Sequence, residues 1–162
     1  MNDSDLLQLS ARLGAELKRQ GLFVTCAESC TGGWVAKAIT DIAGSSAWFE
    51  RGFVTYSNQA KADMLGVGAG TLEQHGAVSD PVVKEMAAGA LKAAAADYAV
   101  AISGIAGPDG GTLLKPVGTV WFGFARRNQA CFSQLMHFNG GRDEVRRQAT
   151  YFALKTLMDT FL

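Results

Sequence analysis

Residues 22–42 read LFVTCAESCTGGWVAKAITDI, and the fold class follows from the pattern in this stretch. Leu22 to Ala27 form a short apolar run, which is typical of a buried strand. Apolar residues return at helical spacing from Cys30 to Ile42, and Gly44 supplies a stop signal. A strand that passes through a short polar turn into a helix is a unit of α/β proteins.

The rest of the chain continues this alternation of helix and strand. Leucines at helical spacing predict a first helix from about Ser4 to Arg19, with Gly21 as its stop. Further strands are predicted at residues 49–56, 98–103, 117–126 and 130–138, and further helices at residues 58–65, 80–96 and 143–161. Asp80 is the predicted N-cap of its helix, and a polar turn at residues 127–129 predicts a late hairpin. We therefore expect one α/β layered domain, a mixed β-sheet flanked by helices.

Composition narrows the class of partner. The chain has 162 residues, of which 48% are hydrophobic and 19% charged, with 15 basic against 15 acidic side chains. These proportions are those of a globular protein, and the balanced charge predicts no nucleic acid partner. The C-terminal third is locally more basic, which allows a single phosphate-sized anion to bind there. Its arginines are Arg126, Arg127, Arg142, Arg146 and Arg147.

The sequence carries no clear targeting signal and no clear pattern of metal ligands. No basic leader precedes an apolar run, and no apolar stretch approaches the roughly 18 residues of a spanning helix, so we expect a cytoplasmic protein without a membrane partner. The cysteines are Cys26, Cys30 and Cys131, and no CxxC pair occurs among them. With only His75 and His137 available, zinc-ligand spacing is missing, and we expect reduced thiols, no metal and no cofactor. General prevalence favours a homodimer.

The first candidate site is the turn AESCTGG at residues 27–33, between the predicted strand and helix. Ser29 would lie near the unpaired N–H groups of the first helical turn, which can stabilise an oxyanion or hold an anion. This position suits a nucleophile, although the motif by itself is better explained by a serine that caps the helix. Cys30 is a rival nucleophile, but no signature links it to a histidine.

The second candidate is YSNQAK at residues 56–61, at the end of another predicted strand. Polar residues that follow strand ends in an open α/β sheet commonly face the same crevice, so Lys61 and Ser29 have a route to converge. A lysine whose pKa is lowered by burial can act as a base toward serine. The alternatives are a solvated helical lysine and, for Tyr56, a half-buried strand aromatic.

Two further segments could bind an anion. The glycine-rich loop SGIAGPDGG at residues 103–111 follows a strand and allows close backbone approach, although it lacks dinucleotide-fold and Walker spacing and can be a plain connection. Arg142 precedes the last predicted helix, where a guanidinium and a positive helix terminus suit a phosphate or carboxylate. Arg146 and Arg147 are as well explained by ordinary charge pairs on a solvated helix.

Six motifs in register resemble the nicotinamide-nucleotide amidase family, which is the family of the CinA C-terminal domain. They are AESCTGG at residues 27–33, FVTYSNQAK at 53–61, GAVS at 76–79, ISGIAGPDGG at 102–111, KPVGTVWF at 115–122 and GGRDEVRRQAT at 140–150. Each motif is weak alone, but together they extend over essentially the whole chain in the right order. The resemblance implies that residues 1–162 are a single CinA C-terminal-like amidohydrolase domain, in the form without the larger nucleotide pyrophosphatase domain of some members.

The resemblance also implies a reaction, the hydrolysis of nicotinamide mononucleotide to nicotinic acid mononucleotide and ammonia in pyridine nucleotide recycling. It implies a serine and lysine pair with a tyrosine nearby, and these fall on Ser29, Lys61 and Tyr56. We expect backbone donors at Cys30, Thr31 and Gly32 to hold the oxyanion. We expect the small-molecule nucleotide to be bound by Ser103, Gly104, Ala106, Gly107 and Arg142.

Two other functions remain open at this point. A nucleotide phosphatase or pyrophosphatase would share the phosphate-binding motifs, but no carboxylate cluster for Mg²⁺ stands out. A nucleotide-sensing or competence-related module would keep a pocket without turnover, and the intact Ser29 and Lys61 argue against it.

Overall fold

A computed structural model describes residues 2–162 and contains one mixed sheet. Its strands run in the order β2-β1-β3-β4-β5. β1 pairs in parallel with β2 and β3, whereas β4 is antiparallel to both β3 and β5. The strands are β1 (Val24–Glu28), β2 (Phe53–Val54), β3 (Tyr98–Gly104), β4 (Thr119–Arg126) and β5 (Phe132–His137). The predicted mixed sheet and late hairpin are confirmed.

Helices cover both faces of the sheet within residues 2–162. One face carries α1 (Asp3–Gln20), α2 (Trp34–Thr40) and α6 (Arg142–Phe161), and the other carries α3 (Asn58–Leu65), α4 (Ala69–His75) and α5 (Asp80–Ala94). The structure is thus a single domain with three layers. No helix in this part of the chain is both long and apolar enough to cross a membrane.

The period of two along the central strands divides the core. In β3, Val100 and Ile102 face the layer of α1 and α6, while Ala99 and Ala101 face α5. Small residues bring the α5 layer close to its neighbours: a Cβ on Gly89 of α5 would lie 1.9 Å from the carbonyl oxygen of Leu65 in α3. The close packing of α5 on α3 therefore fixes the position of α3, which carries part of the candidate site.

Several predicted boundaries are wrong. The second helix starts at Trp34, not near Cys30, because Gly32 and Gly33 adopt φ values of +59° and +101° that interrupt it. The strand predicted at residues 49–56 is reduced to Phe53–Val54. Residues 45–47 form a 3-10 turn just before Trp48, whose ring packs on Gly14 of α1.

On the side of the sheet that α5 covers, the sequence did not predict α4 and assigned the wrong N-cap residue to α5. The short helix α4 was not predicted, since its seven residues contain few apolar positions. Asp80 is the first residue of α5, and the N-cap position belongs to Ser79. The Asp80 carboxylate instead accepts a hydrogen bond from Ser133 of β5 and lies 3.2 Å from Lys84 Nζ. Tertiary partners for this carboxylate are invisible in a local pattern.

Candidate active site

Ser29 and Lys61 meet at the carboxyl edge of the parallel strands. Ser29 directly follows β1, and Lys61 lies on α3, which begins four residues after β2. Lys61 Nζ is 3.1 Å from Ser29 Oγ, and both residues are buried. The structure therefore brings together two side chains that stand 32 positions apart in sequence.

The amine of Lys61 is held by neutral groups. It donates to the carbonyl oxygens of Thr55 at 3.0 Å and Tyr56 at 3.2 Å, and only 1% of the residue is exposed. Within residues 2–162 it forms no ion pair with a carboxylate. Burial therefore lowers the pKa of Lys61 below its ordinary value of 10.5. A lysine in this setting has more of the neutral amine that a base requires.

Glu28, not Ser29, caps the helix that follows the turn. Its fully buried carboxylate accepts hydrogen bonds from the backbone N–H of Val35 at 2.9 Å and Ala36 at 3.0 Å, and from the Thr31 hydroxyl at 2.6 Å. The Ser29 hydroxyl makes no capping bond and donates instead to the Tyr56 carbonyl at 3.4 Å. The cap interpretation of Ser29 is wrong, and its hydroxyl is left facing Lys61.

Arg146 holds the same turn from the opposite side. Its Nε donates to the carbonyl of Cys30 at 3.0 Å and its Nη2 to the carbonyl of Thr31 at 3.2 Å. A Cβ at Gly32 would lie 2.9 Å from that Nη2 and would have to adopt a positive φ, so glycine suits this position. Arg146 is thus tied to the site, contrary to its interpretation as a solvated surface charge.

The backbone donors of the turn are not equally available. Ser29 N–H donates to the Ile102 carbonyl at 3.0 Å, and Gly32 N–H donates to the Ser29 carbonyl at 3.1 Å. In the part of the chain that the structure describes, the N–H groups of Cys30 and Thr31 have no acceptor on another residue. Of the three predicted oxyanion donors, Gly32 is therefore used within the turn. Cys30 lines the cavity beside Ser29, whereas Thr31 is fully buried and does not line it.

Cys30 is in a poor position to act as the nucleophile. Burial raises the pKa of its thiol to about 12, so the thiolate is scarce near neutral pH. Neither His75 nor His137 is among the residues that line the cavity beside it. The environment therefore favours Ser29 over its neighbour.

A cavity of about 220 Å³ opens above the serine and lysine. Predicted binding residues Ser103, Gly104, Ala106 and Arg142 line it together with Tyr56. Gly107 takes part through its carbonyl, which accepts a hydrogen bond from Arg142 Nη1 at 2.7 Å. The loop after β3 and the start of α6 thus meet at this cavity.

Tyr56 contacts the pair through its backbone. Its carbonyl accepts hydrogen bonds from Lys61 and Ser29, whereas its phenol oxygen accepts one from Arg142 Nη2 at 3.1 Å. The side chain is 62% exposed at the cavity mouth. Arg142 therefore bridges Tyr56 and Gly107 across this mouth.

Three residues of the site were given no role in it from the sequence. Glu28 orders the turn, Arg146 holds its carbonyls where an ordinary charge pair was the alternative, and Asn58 lines the cavity at the start of α3. A carboxylate at the end of an apolar run was a usable signal for Glu28, because buried acids need dedicated partners. No local signal assigns these particular roles to Arg146 or Asn58.

Comparisons with known proteins show the family to which the chain belongs. The CinA C-terminal domain model matches residues 6–161. The chain is 68% identical over 162 residues to nicotinamide-nucleotide amidohydrolase PncC of Escherichia coli strain K12, covering 100% of this chain and 98% of that one. A protein of the same name from Pseudomonas putida is 52% identical over 150 residues, with 93% of each chain covered.

Solved structures show the same fold. The competence/damage inducible protein CihA of Agrobacterium tumefaciens superposes with a TM-score of 0.95 at 46% identity, covering 98% of this chain and 96% of that one. A CinA superfamily protein from Escherichia coli gives a TM-score of 0.91 at 40% identity, covering 98% and 92% of the two chains.

Proposed function

The chain belongs to the CinA C-terminal domain family, and from that membership we propose that it is a nicotinamide-nucleotide amidohydrolase. The substrate is nicotinamide mononucleotide, and the products are nicotinic acid mononucleotide and ammonia. The observation that carries the proposal is the 3.1 Å contact between Lys61 Nζ and Ser29 Oγ at the base of a cavity. Full-length relatives bearing this activity in their name support the choice of substrate.

The first half of the reaction forms an acyl-enzyme. Neutral Lys61 takes the Ser29 hydroxyl proton as Oγ attacks the carboxamide carbon. The carbonyl oxygen becomes an oxyanion, and the N–H group of Cys30 is the donor that stabilises it. Thr55 and Tyr56 hold the amine through their carbonyls throughout this step.

Collapse of the intermediate releases ammonia. The carbon–nitrogen bond breaks, its electron pair stays on nitrogen, and the proton held by Lys61 passes to that nitrogen. Water then attacks the Ser29 ester, with Lys61 again as base. Tyr56 contributes mainly through its carbonyl, since its phenol is engaged by Arg142 at the mouth.

The nucleotide phosphate binds away from the reacting amide. Arg142 at the cavity mouth and the loop of residues 103–111 are the groups placed to contact it. Binding energy from this remote group helps to orient the carboxamide at Ser29. The reaction would return the pyridine nucleotide to a form from which the cytoplasmic NAD pool is rebuilt.

An ammonia-release assay on nicotinamide mononucleotide tests the proposal. Wild-type protein should release ammonia and no inorganic phosphate, and a metal chelator should leave the rate unchanged. Ser29→Ala and Lys61→Ala should each abolish release while the circular dichroism spectrum stays that of the wild type. Phosphate release would indicate a phosphatase, and no turnover at all would indicate a binding module.

Arg142→Ala tests the phosphate site separately. Loss of the guanidinium should raise KM for the nucleotide roughly tenfold or more and change kcat less, because the contact is remote from the reacting bond. The corresponding riboside, which lacks the phosphate, should be nearly insensitive to the substitution. An unchanged KM for the nucleotide would remove Arg142 from phosphate binding.

A further inference from the structure

Ser103 lies beside Ser29 on the neighbouring strand. β1 and β3 are parallel, with Glu28 in register with Ile102, and Ser29 N–H continues this ladder to the Ile102 carbonyl. Ser103 is therefore the residue next to Ser29 across the sheet. Side-chain alternation along β3 turns Ser103 toward the α3 and α5 side, which is also the side of Lys61.

The hydroxyl of Ser103 is unusual among the hydroxyls of the site. Only 1% of the residue is exposed, it lines the cavity, and its hydroxyl makes no hydrogen bond within residues 2–162. The neighbouring hydroxyls are engaged: Thr31 donates to the Glu28 carboxylate and Thr55 to the Glu28 carbonyl. Because Ser103 lines the cavity and no protein group within residues 2–162 engages its hydroxyl, this hydroxyl is available for a group that enters the cavity.

We propose, on the basis of the proposed function, that the Ser103 hydroxyl binds the carboxamide nitrogen of the substrate, which is the leaving group. The oxyanion is directed to the N–H group of Cys30, which leaves the nitrogen as the polar atom without a partner from the turn. A serine hydroxyl both accepts and donates, so it can serve this nitrogen before and after attack.

The nitrogen changes its hydrogen-bonding character during the reaction. In the planar amide its N–H groups donate to Ser103 Oγ. After Ser29 attacks, the nitrogen becomes pyramidal and exposes a lone pair, to which the Ser103 hydroxyl donates. The carbon–nitrogen bond then breaks with its electrons on nitrogen, the proton on Lys61 moves to nitrogen, and ammonia and neutral Lys61 result.

Comparison of an amide with an ester substrate tests this role. Amide ion is a very poor leaving group, whereas methoxide leaves readily, so only the amide depends strongly on a partner at nitrogen. For Ser103→Ala, kcat on nicotinamide mononucleotide should fall roughly 10- to 100-fold, as expected for one lost transition-state hydrogen bond. Hydrolysis of the methyl ester of nicotinic acid mononucleotide should change less than about threefold.

Two variants make the result decisive. Ser103→Cys keeps a similar volume with a weak hydrogen-bonding group and should show the same selective loss. Ser10→Ala is a matched control, because Ser10 is also buried with an unpartnered hydroxyl but lies on α1, away from the cavity; it should behave as wild type. Equal losses on amide and ester, or full amide activity in Ser103→Cys, would overturn the proposal. Wild-type protein inactive on both substrates would instead refute the proposed function.

Discussion

Replacing Lys61 with methionine separates the catalytic role of the amine from its effect on stability. Methionine has a similar length and no charge, so the side chain can remain buried in the same place. The substitution removes three donated hydrogen bonds, to Ser29 Oγ and to the carbonyls of Thr55 and Tyr56. Tyr56 keeps the Ser29 hydroxyl at 3.4 Å, which leaves the Thr55 carbonyl as the unsatisfied group.

The expected cost has two parts with different pH dependence. One orphaned buried carbonyl costs about 1–3 kcal/mol at any pH. The second part is linked to protons, because burial lowers the pKa of Lys61 in the folded state below 10.5 while the unfolded value stays ordinary. Between these two pKa values the unfolded chain binds one more proton, so wild-type stability rises by about 1.4 kcal/mol per pH unit as pH increases.

The direction in which stability changes with pH distinguishes a buried lysine, whose pKa is lowered in the folded state, from an exposed one. The stability that wild type gains toward high pH is fully present above 10.5 and is lost as pH falls to the folded pKa. Lys61→Met lacks this group, so its disadvantage should be greatest at high pH and should shrink as pH falls through that window. Turnover should fall roughly 100- to 10,000-fold at pH values where Lys61 of the wild type is neutral, as for loss of a general base.

Urea unfolding followed by circular dichroism, measured for both proteins from about pH 7 to about pH 10, gives the stability difference. Ammonia release measured on the same samples gives turnover. Wild-type kcat/KM should rise with pH through one ionisation that lies below 10.5. A stability difference that stays constant with pH, or near-normal turnover in Lys61→Met, would refute the buried neutral base.

Two further substitutions test the packing and the choice of nucleophile. Gly89→Ala places a Cβ 1.9 Å from the Leu65 carbonyl oxygen, so it should push α5 from α3, lower Tm and reduce kcat by displacing Lys61. Gly70→Ala in α4 is the matched control: no atom lies within 4 Å of its Cβ, so it should leave kcat unchanged and should not lower Tm. Cys30→Ala should keep turnover within about threefold of wild type, because burial raises the pKa of the thiol to about 12 and leaves little thiolate. A loss as complete as that of Ser29→Ala would instead make Cys30 the nucleophile.

Local pattern was sufficient for the order of elements and for the fold class. These elements are each specified by residues that lie close together in sequence. Leucine spacing predicts α1, apolar runs predict β1 and β3, and a polar turn predicts the hairpin of β4 and β5. Those predictions are confirmed, as is the family resemblance. The error at Asp80 arises where a distant contact decides, because its carboxylate binds Ser133 of β5.

For the candidate site too, one part follows from the sequence and another part depends on tertiary contacts. Sequence singled out Ser29 and Lys61 because residues that follow parallel strands gather at one edge of a sheet, and Arg142 because a guanidinium at a helix N-terminus suits an anion. It could not choose between a capping serine and a free one. That choice depends on Glu28, whose carboxylate takes the helix donors of Val35 and Ala36 and so leaves the Ser29 hydroxyl to Lys61.

Sequence by itself therefore determined most of the elements, their order, and which polar residues end the strands, because these depend on side-chain periodicity and turn chemistry along the chain. Tertiary structure alone decided that Lys61 is buried against neutral carbonyls and that Ser103 stands beside Ser29. The pKa of an amine depends on the solvent and charges around it, and a strand neighbour depends on register. Both are set by segments far apart in sequence, which only the folded chain brings together.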